Sequence, residues 1–238
     1  MKGFLYIAIL VVLFCGALAA EPALHPEAIV ENYRSVSRDQ QKLLNGASME
    51  VEIQASLPKL QKRGRLHALR RISELGRITY DHLRFEGDGT VKNNVISRYL
   101  TAEAQSQTEA TPSLDVTPEN YKFKYKGIDT QDGRDAHIFQ VTPRKKRVGL
   151  FKGEIWIDAT TYLRLRESGR FVKNPSIFLK SVDFLRRYEI RDGVAVPVEI
   201  HSIIDTRLVG KAELTVEYRH VSLGEENKRA GLVAADGQ

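Results

Sequence analysis

From Tyr121 to Lys126 the sequence reads Tyr-Lys-Phe-Lys-Tyr-Lys. No other stretch so narrows what the chain can fold into. Successive side chains of a strand point to opposite faces. One face therefore carries Tyr121, Phe123 and Tyr125, and the other carries Lys122, Lys124 and Lys126. A slip of one residue would bury three ammoniums, so the register is specified: rings inward, lysines in water.

The same period of two recurs. Met49, Val51, Ile53, Ala55 and Leu57 alternate with polar residues, as do Ala212, Leu214, Val216, Tyr218 and His220. Val194, Val196, Val198, Ile200 and Ile204 form another set. Further strands are expected near 63–72, 76–86, 90–101, 134–142, 151–158, 161–172 and 178–191. Together these make about eleven strands at the spacing of an antiparallel meander. Turn signals separate many of them: Gly87-Asp88-Gly89, Asp132-Gly133, Asn174-Pro175 and Asp192-Gly193. No helical segment of crossover length recurs, which argues against a parallel βαβ fold.

One helix precedes the strands. Pro26 suits a first helical turn, and Glu27 complements the N-terminal dipole. Ile29, Tyr33, Val36, Gln40 and Leu43 fall on one largely apolar stripe, and Asn45-Gly46 closes the helix. Residues 102–118, rich in Thr, Ser, Gln, Glu and Pro, are expected to form a long surface loop. Residues 222–238 read as a flexible C-terminal tail. The domain itself is expected to span 21–221.

Residues 1–20 read as a cleaved signal peptide: Lys2, an apolar run from Phe4 to Phe14, then Ala17-Leu18-Ala19 at the cleavage site. The apolar run is too short to span a bilayer comfortably. The one cysteine, Cys15, lies in this leader. The exported chain would have no thiol chemistry, disulfide framework or Cys-rich metal site. The expected compartment is the periplasm.

Searches for chemistry find little. There is no His-Glu-x-x-His, Gly-x-Ser-x-Gly, phosphate-loop or calcium-loop pattern. His25, His67, His82, His137, His201 and His220 are scattered singly. Asp158 and Glu154 read as solvated charges. Neither catalysis, a metal nor a cofactor is expected. A formal charge of +6 is too small to indicate nucleic acid. The dense run Arg144-Lys145-Lys146-Arg147 lies between two strands. It is either a solvated hairpin loop or a contact for anionic lipid or an acidic partner.

What remains is a large sheet with one apolar face. One helix of about 20 residues covers only a ~30 Å strip of it. The sheet must curl, pack into a sandwich or keep an apolar cavity. Phe139, Val141, Ile155, Ile157, Phe184 and Val198, with Tyr121, Phe123 and Tyr125, are the candidate lining residues. The same residues could equally form a filled core.

The stretch Phe139-Gln140-Val141-Thr142-Pro143, continued by Gly153-Glu154-Ile155-Trp156-Ile157-Asp158-Ala159-Thr160-Thr161, resembles the periplasmic lipoprotein carriers of the LolA type and the related LolB and RseB-like domains. Leu163-Arg164-Leu165-Arg166-Glu167 then returns in charged and apolar alternation. The resemblance implies an α+β, mainly β fold: an N-terminal helix and an unclosed, strongly curved antiparallel half-barrel of about eleven strands around an apolar cavity. It implies a carrier or chaperone for lipid or lipoprotein acyl chains, serving outer-membrane lipoprotein sorting. Its partners would be lipid or an acylated protein, a membrane protein donor or acceptor, and transiently the membrane surface, with no nucleic acid. A non-catalytic envelope-sensing or protein-interaction module on the same fold is the alternative.

Overall fold

A computed structural model of the protein describes residues 25–106, 114–174, 179–207 and 210–224. The expected signal peptide and most of the expected tail lie outside these. Ten strands form one antiparallel sheet: β1 (Ser48–Leu57), β2 (Lys62–Ile72), β3 (Ile78–Gly87), β4 (Tyr121–Gln131), β5 (Arg134–Pro143), β6 (Phe151–Asp158), β7 (Arg164–Phe171), β8 (Leu179–Arg191), β9 (Val194–Thr206) and β10 (Lys211–Ser222). Their spatial order is β3-β2-β1-β10-β9-β8-β7-β6-β5-β4. Two meanders, β1–β3 and β4–β10, are thus joined where β1 pairs with β10, with Ile53 opposite Val216. The sheet is curved and open, a mainly β half-barrel.

The register follows the alternation. Tyr121 is buried, Phe123 and Tyr125 are half-buried, and Lys122, Lys124 and Lys126 are exposed. Asp132-Gly133 and Asp192-Gly193 both have positive φ at both residues, as two-residue hairpin turns require. The close approach of β6 to β7 depends on small residues. Gly153 lies opposite Gly169, and a Cβ on Gly153 would come within 1.9 Å of the Ser168 carbonyl oxygen. Only glycine allows strands to approach so closely. The free edges, β3 and β4, both carry bulges, at His82 (φ 53) and around Gly127 (φ 130), and β4 adds its three lysines. Bulges and lysines discourage edge-to-edge association.

Helix α1 (Pro26–Leu43) buries Ile29, Tyr33 and Gln40 from the expected stripe. Gln40 is polar because it grips the β8–β9 hairpin. Its Nε2 donates to the Gly193 carbonyl at 3.1 Å, and its Oε1 accepts from the Ala195 N–H at 2.8 Å.

One strand expectation is overturned. Residues 90–101 are helical, not a strand, and the described residues hold ten strands rather than about eleven. The segment is α-helical over Gly89–Val91, widens to a π turn over Lys92–Ile96, and is α-helical again over Ser97–Ser106. We treat the whole as α2. Asp88 caps it by accepting from the Thr90 N–H at 2.7 Å. Val91, Val95 and Ile96 are buried, with Tyr99 and Leu100 packed beside them. That is a helical stripe displaced by the π turn's extra residue. Residues 102–106, expected in a loop, are the last turns of this helix.

The helices divide the covered face in two. Beneath α2, aliphatic residues of β1, β2, β9 and β10 form one cluster, including Met49, Val51, Ile53, Leu66, Val196 and Leu214. Leu223 joins it just after β10. Beneath the first half of α1 lies an aromatic cluster of Tyr33, Tyr121, Phe139, Phe151 and Phe184, with Val141, Ile155 and Ile157.

Candidate functional site

Between these clusters the inner face is polar. On β7, Glu167 lies opposite Ile155 of β6 and close to Arg186 of β8 in the ladder. Phe184, two residues before Arg186, is part of the aromatic cluster, so the strand that turns Phe184 inward also turns Arg186 inward. Arg164 reaches the same place because Leu165 is an extra residue between the pairs Trp156–Arg166 and Ile157–Arg164.

Glu167 is 1% exposed, and three donors meet it. Arg164 Nη1 donates at 3.0 Å and the Tyr188 hydroxyl at 3.2 Å, while Arg186 Nη1 stands 3.5 Å away. The Arg164 guanidinium lies 5.4 Å from the Tyr188 ring centroid, and that of Arg186 lies 4.7 Å from the Phe184 ring centroid. Burial pushes the Tyr33 hydroxyl of α1, at the border of this group, up to about 12. Burial, and then the Glu167 charge, also raise Tyr188. Burial opposes the charge on Arg186, but Tyr188 and Glu167 more than offset it, so the guanidinium stays charged.

A second polar group ties α2 to the sheet. Arg70 of β2 donates through Nε and Nη2 to Glu103 Oε1 at 3.1 and 2.8 Å. The Tyr80 hydroxyl donates to Glu103 Oε2. The Tyr99 and Tyr218 hydroxyls meet at 3.3 Å, and Arg70 lies over the Tyr218 ring. Burial raises all three tyrosines.

Of the residues expected to line a cavity, Tyr121, Phe139, Val141, Ile155, Ile157 and Phe184 are buried in the aromatic cluster, while Phe123, Tyr125 and Val198 are half-buried. The rings meet at tilted or edge angles: Tyr125–Phe139 at 5.1 Å, Phe123–Phe139 at 5.9 Å and Phe151–Phe184 at 4.9 Å. Two polar depressions of about 570 and 580 Å³ lie elsewhere, around Ser56, Arg63 and Glu213, and include none of these nine residues.

Asp158 is a correction. It is 2% exposed rather than solvated. Its Oδ1 accepts from the N–H groups of Thr160 and Thr161 at 3.2 and 2.7 Å and from the Thr161 hydroxyl at 2.8 Å. Arg134 Nη1 stands 3.3 Å from Oδ2. The Ile-Asp-x-x-Thr stretch is therefore a lock on the β6–β7 turn.

In the basic loop, Arg144, Lys145 and Lys146 are exposed and Arg147 is half-buried. Arg144 Nε donates to the Pro118 carbonyl at 2.7 Å, and Arg147 Nη2 donates to Asn120 Oδ1 at 2.6 Å. The arginines hold the loop against the segment entering β4, and the lysines project.

Arg70, Arg164, Glu167 and Arg186 escaped the sequence reading, which takes a charge in a strand as outward. Their signal was phase: Arg70 sits in step with Leu66, Ala68 and Ile72, and Arg186 with Val182, Phe184 and Tyr188.

The fold is an open, curved antiparallel half-barrel. No family model and no curated protein matches the sequence. Among solved structures, the chain is similar to a DUF1329 family protein from Desulfovibrio piger, with 16% identity over 82% of this chain and 92% of that one and a TM-score of 0.43. It is similar to a LolA superfamily protein from Nitrosomonas europaea, with 12% identity over 81% and 94% and a TM-score of 0.38. It is also similar to the Pseudomonas aeruginosa MucA/MucB complex structure, with 13% identity over 84% and 96% and a TM-score of 0.27.

Proposed function

We propose that the protein is an exported, periplasmic carrier or chaperone that takes up lipid or lipoprotein acyl chains against the aromatic half of its inner face, in the service of outer-membrane lipoprotein sorting. The observation that carries this reading is the set of rings that the fold leaves half covered. Phe123, Tyr125 and Phe171 stay half-buried beside fully buried neighbours. Apolar surface held at such a border is what an acyl chain gains by covering, at about 0.8 kcal/mol per buried methylene. In this reading Phe123 and Tyr125 meet the chain first, whereas Val198, the extra residue of a bulge in β9, stands outside the aromatic cluster. Tyr121, Phe139, Val141, Ile155, Ile157 and Phe184 form the wall behind it.

Purification without detergent, followed by organic extraction and mass spectrometry, should recover a bound amphiphile. The lipid-free protein should capture a fluorescent fatty acid. A folded Phe171→Glu variant should capture it about tenfold less, because a carboxylate would face the chain. A folded parent that yields no lipid and captures no fatty acid would remove the proposal.

Delivery to an anionic membrane would fall to the basic loop, Arg144 to Arg147, with the two arginines keeping the loop in place. Each lysine near an anionic surface contributes about 1 kcal/mol, so Lys145→Gln/Lys146→Gln should weaken binding to phosphatidylglycerol-containing vesicles about thirtyfold. Undiminished binding at low salt would make the loop a solvated hairpin.

A further inference from the structure

The acyl-chain reading leaves Arg186 unexplained. Two guanidiniums, Arg164 and Arg186, face one buried carboxylate, Glu167. The distances assign that carboxylate: Arg164 and the Tyr188 hydroxyl hydrogen-bond to it, and Arg186 stands further off, at 3.5 Å. Arg186 Nε is shielded from solvent and has no hydrogen-bond partner among the described residues. Asp115, an exposed carboxylate before β4, is felt at Arg164. The Arg186 side chain is nevertheless 37% exposed, against 2% for Glu167. The Arg164 side chain is 25% exposed, so the guanidinium with the weaker partner is also the more accessible of the two.

We propose that Arg186, supported by Arg164, Glu167 and Tyr188, binds the anionic headgroup of an acyl amphiphile, a carboxylate or phosphate ester, whose chain lies along Phe184 and Phe171. The inference rests on the acyl-binding reading and names the ligand class for that site. The guanidinium is stacked on Phe184, which leaves its N–H edge to donate while the ring beneath it continues into apolar surface. Phe171 extends that surface, its centroid 5.3 Å from Phe184. Charge and apolar surface thus meet at one point, as the two ends of an amphiphile require. An arginine fork matches a carboxylate or phosphate in two parallel hydrogen bonds, and little water competes at a partly enclosed site. Glu167 keeps the site from holding two uncompensated cations when it is empty.

The test compares a fluorescent fatty acid with its methyl ester on the lipid-free, full-length exported chain at pH 7.5. The acid should bind about tenfold or more tightly than the ester, the usual effect of a charge-assisted hydrogen bond. Arg186→Gln should reduce that preference to about twofold by weakening acid binding and leaving ester binding in place. Arg186→Lys, which keeps the charge, should retain part of it. Arg187→Gln, on the outward side of β8, should leave it unchanged. Inorganic phosphate at millimolar concentration should not displace the acid, because the chain supplies most of the affinity. Equal binding of acid and ester by the parent, or an undiminished preference in Arg186→Gln, overturns the headgroup site but leaves acyl binding intact. Displacement by inorganic phosphate alone would make it a site for a free anion and overturn the amphiphile. Failure of both probes to bind the parent removes the acyl-binding reading itself.

Discussion

Under α2 the sheet presents Met49, Val51, Ile53, Leu66 and Leu214, whereas under the first half of α1 it presents Tyr121, Phe139, Phe151 and Phe184. Branched aliphatic side chains have few rotamers and interdigitate closely, so the first half makes a rigid platform. The rings of the second half meet edge to face, several of them half-buried, and leave an apolar border open. The polar groups differ in the same sense. Arg70 and the Tyr80 hydroxyl both hold Glu103 and so anchor a helix, while Arg164 and Arg186 share Glu167 beside an open border. One half holds the sheet together; in the acyl-binding proposal it is the other that accepts a ligand.

The sharpest way to break this comparison is to make the same deletion in both halves. Ile53 and Ile155 are each fully buried. Ile53→Ala should cost about 3–4 kcal/mol in urea unfolding and Ile155→Ala about 2–3, because half-covered rings can close on the gap more readily than a rigid platform. Equal costs would mean that the two halves are packed alike. A second contrast uses the carboxylates. Glu103→Gln strands a buried guanidinium and should cost about 2–3 kcal/mol. Glu167→Gln should cost about 1–2 kcal/mol, since Arg164 and Arg186 both reach solvent. If Glu167→Gln proved the costlier, Arg186 would be locked in the core and no headgroup could use it.

An effect that shrinks with falling pH tests the turn that borders the aromatic half. Burial pushes the Asp158 carboxyl up, but hydrogen bonds from Thr161, Arg134 and Thr160 outweigh it and hold the carboxyl below its usual range. A depressed carboxylate stabilises the fold above its unfolded pKa of about 4, and that contribution is lost as the pH falls through the lower folded value. Asp158→Asn should therefore cost about 1–2 kcal/mol at pH 7 and progressively less toward pH 3. A constant penalty across that range would show that geometry, not charge, holds the turn.

How much of this was legible depended on phase. The rings and lysines of β4 keep strict alternation, and their faces could be read directly. Helix α2 was obscured because the π turn at Lys92–Ile96 displaces its stripe by one residue, and because Gly87-Asp88-Gly89 reads as a turn when Asp88 is a cap. The site was obscured for the opposite reason. Leu163-Arg164-Leu165-Arg166-Glu167 looks like simple alternation, yet the bulge at Leu165 lets Arg164 and Glu167 share the inner face. The cost of burying a charge normally sends it outward, and nothing local shows that its partner arrives from another strand.

The pairing of β1 with β10 also sets the order in which the molecule can assemble. Glu50 and Arg219 face each other across 169 residues of chain, whereas every other strand pairs with a sequence neighbour. Each meander can zip up from its hairpins, but the seam between them must wait for the last strand. Closing so long a loop is slow compared with hairpin formation. Until then β1 has an unpaired edge and the aliphatic platform is incomplete. The slowest step of assembly therefore belongs to β10, and a chain that emerges N-terminus first keeps its seam open until that strand has appeared.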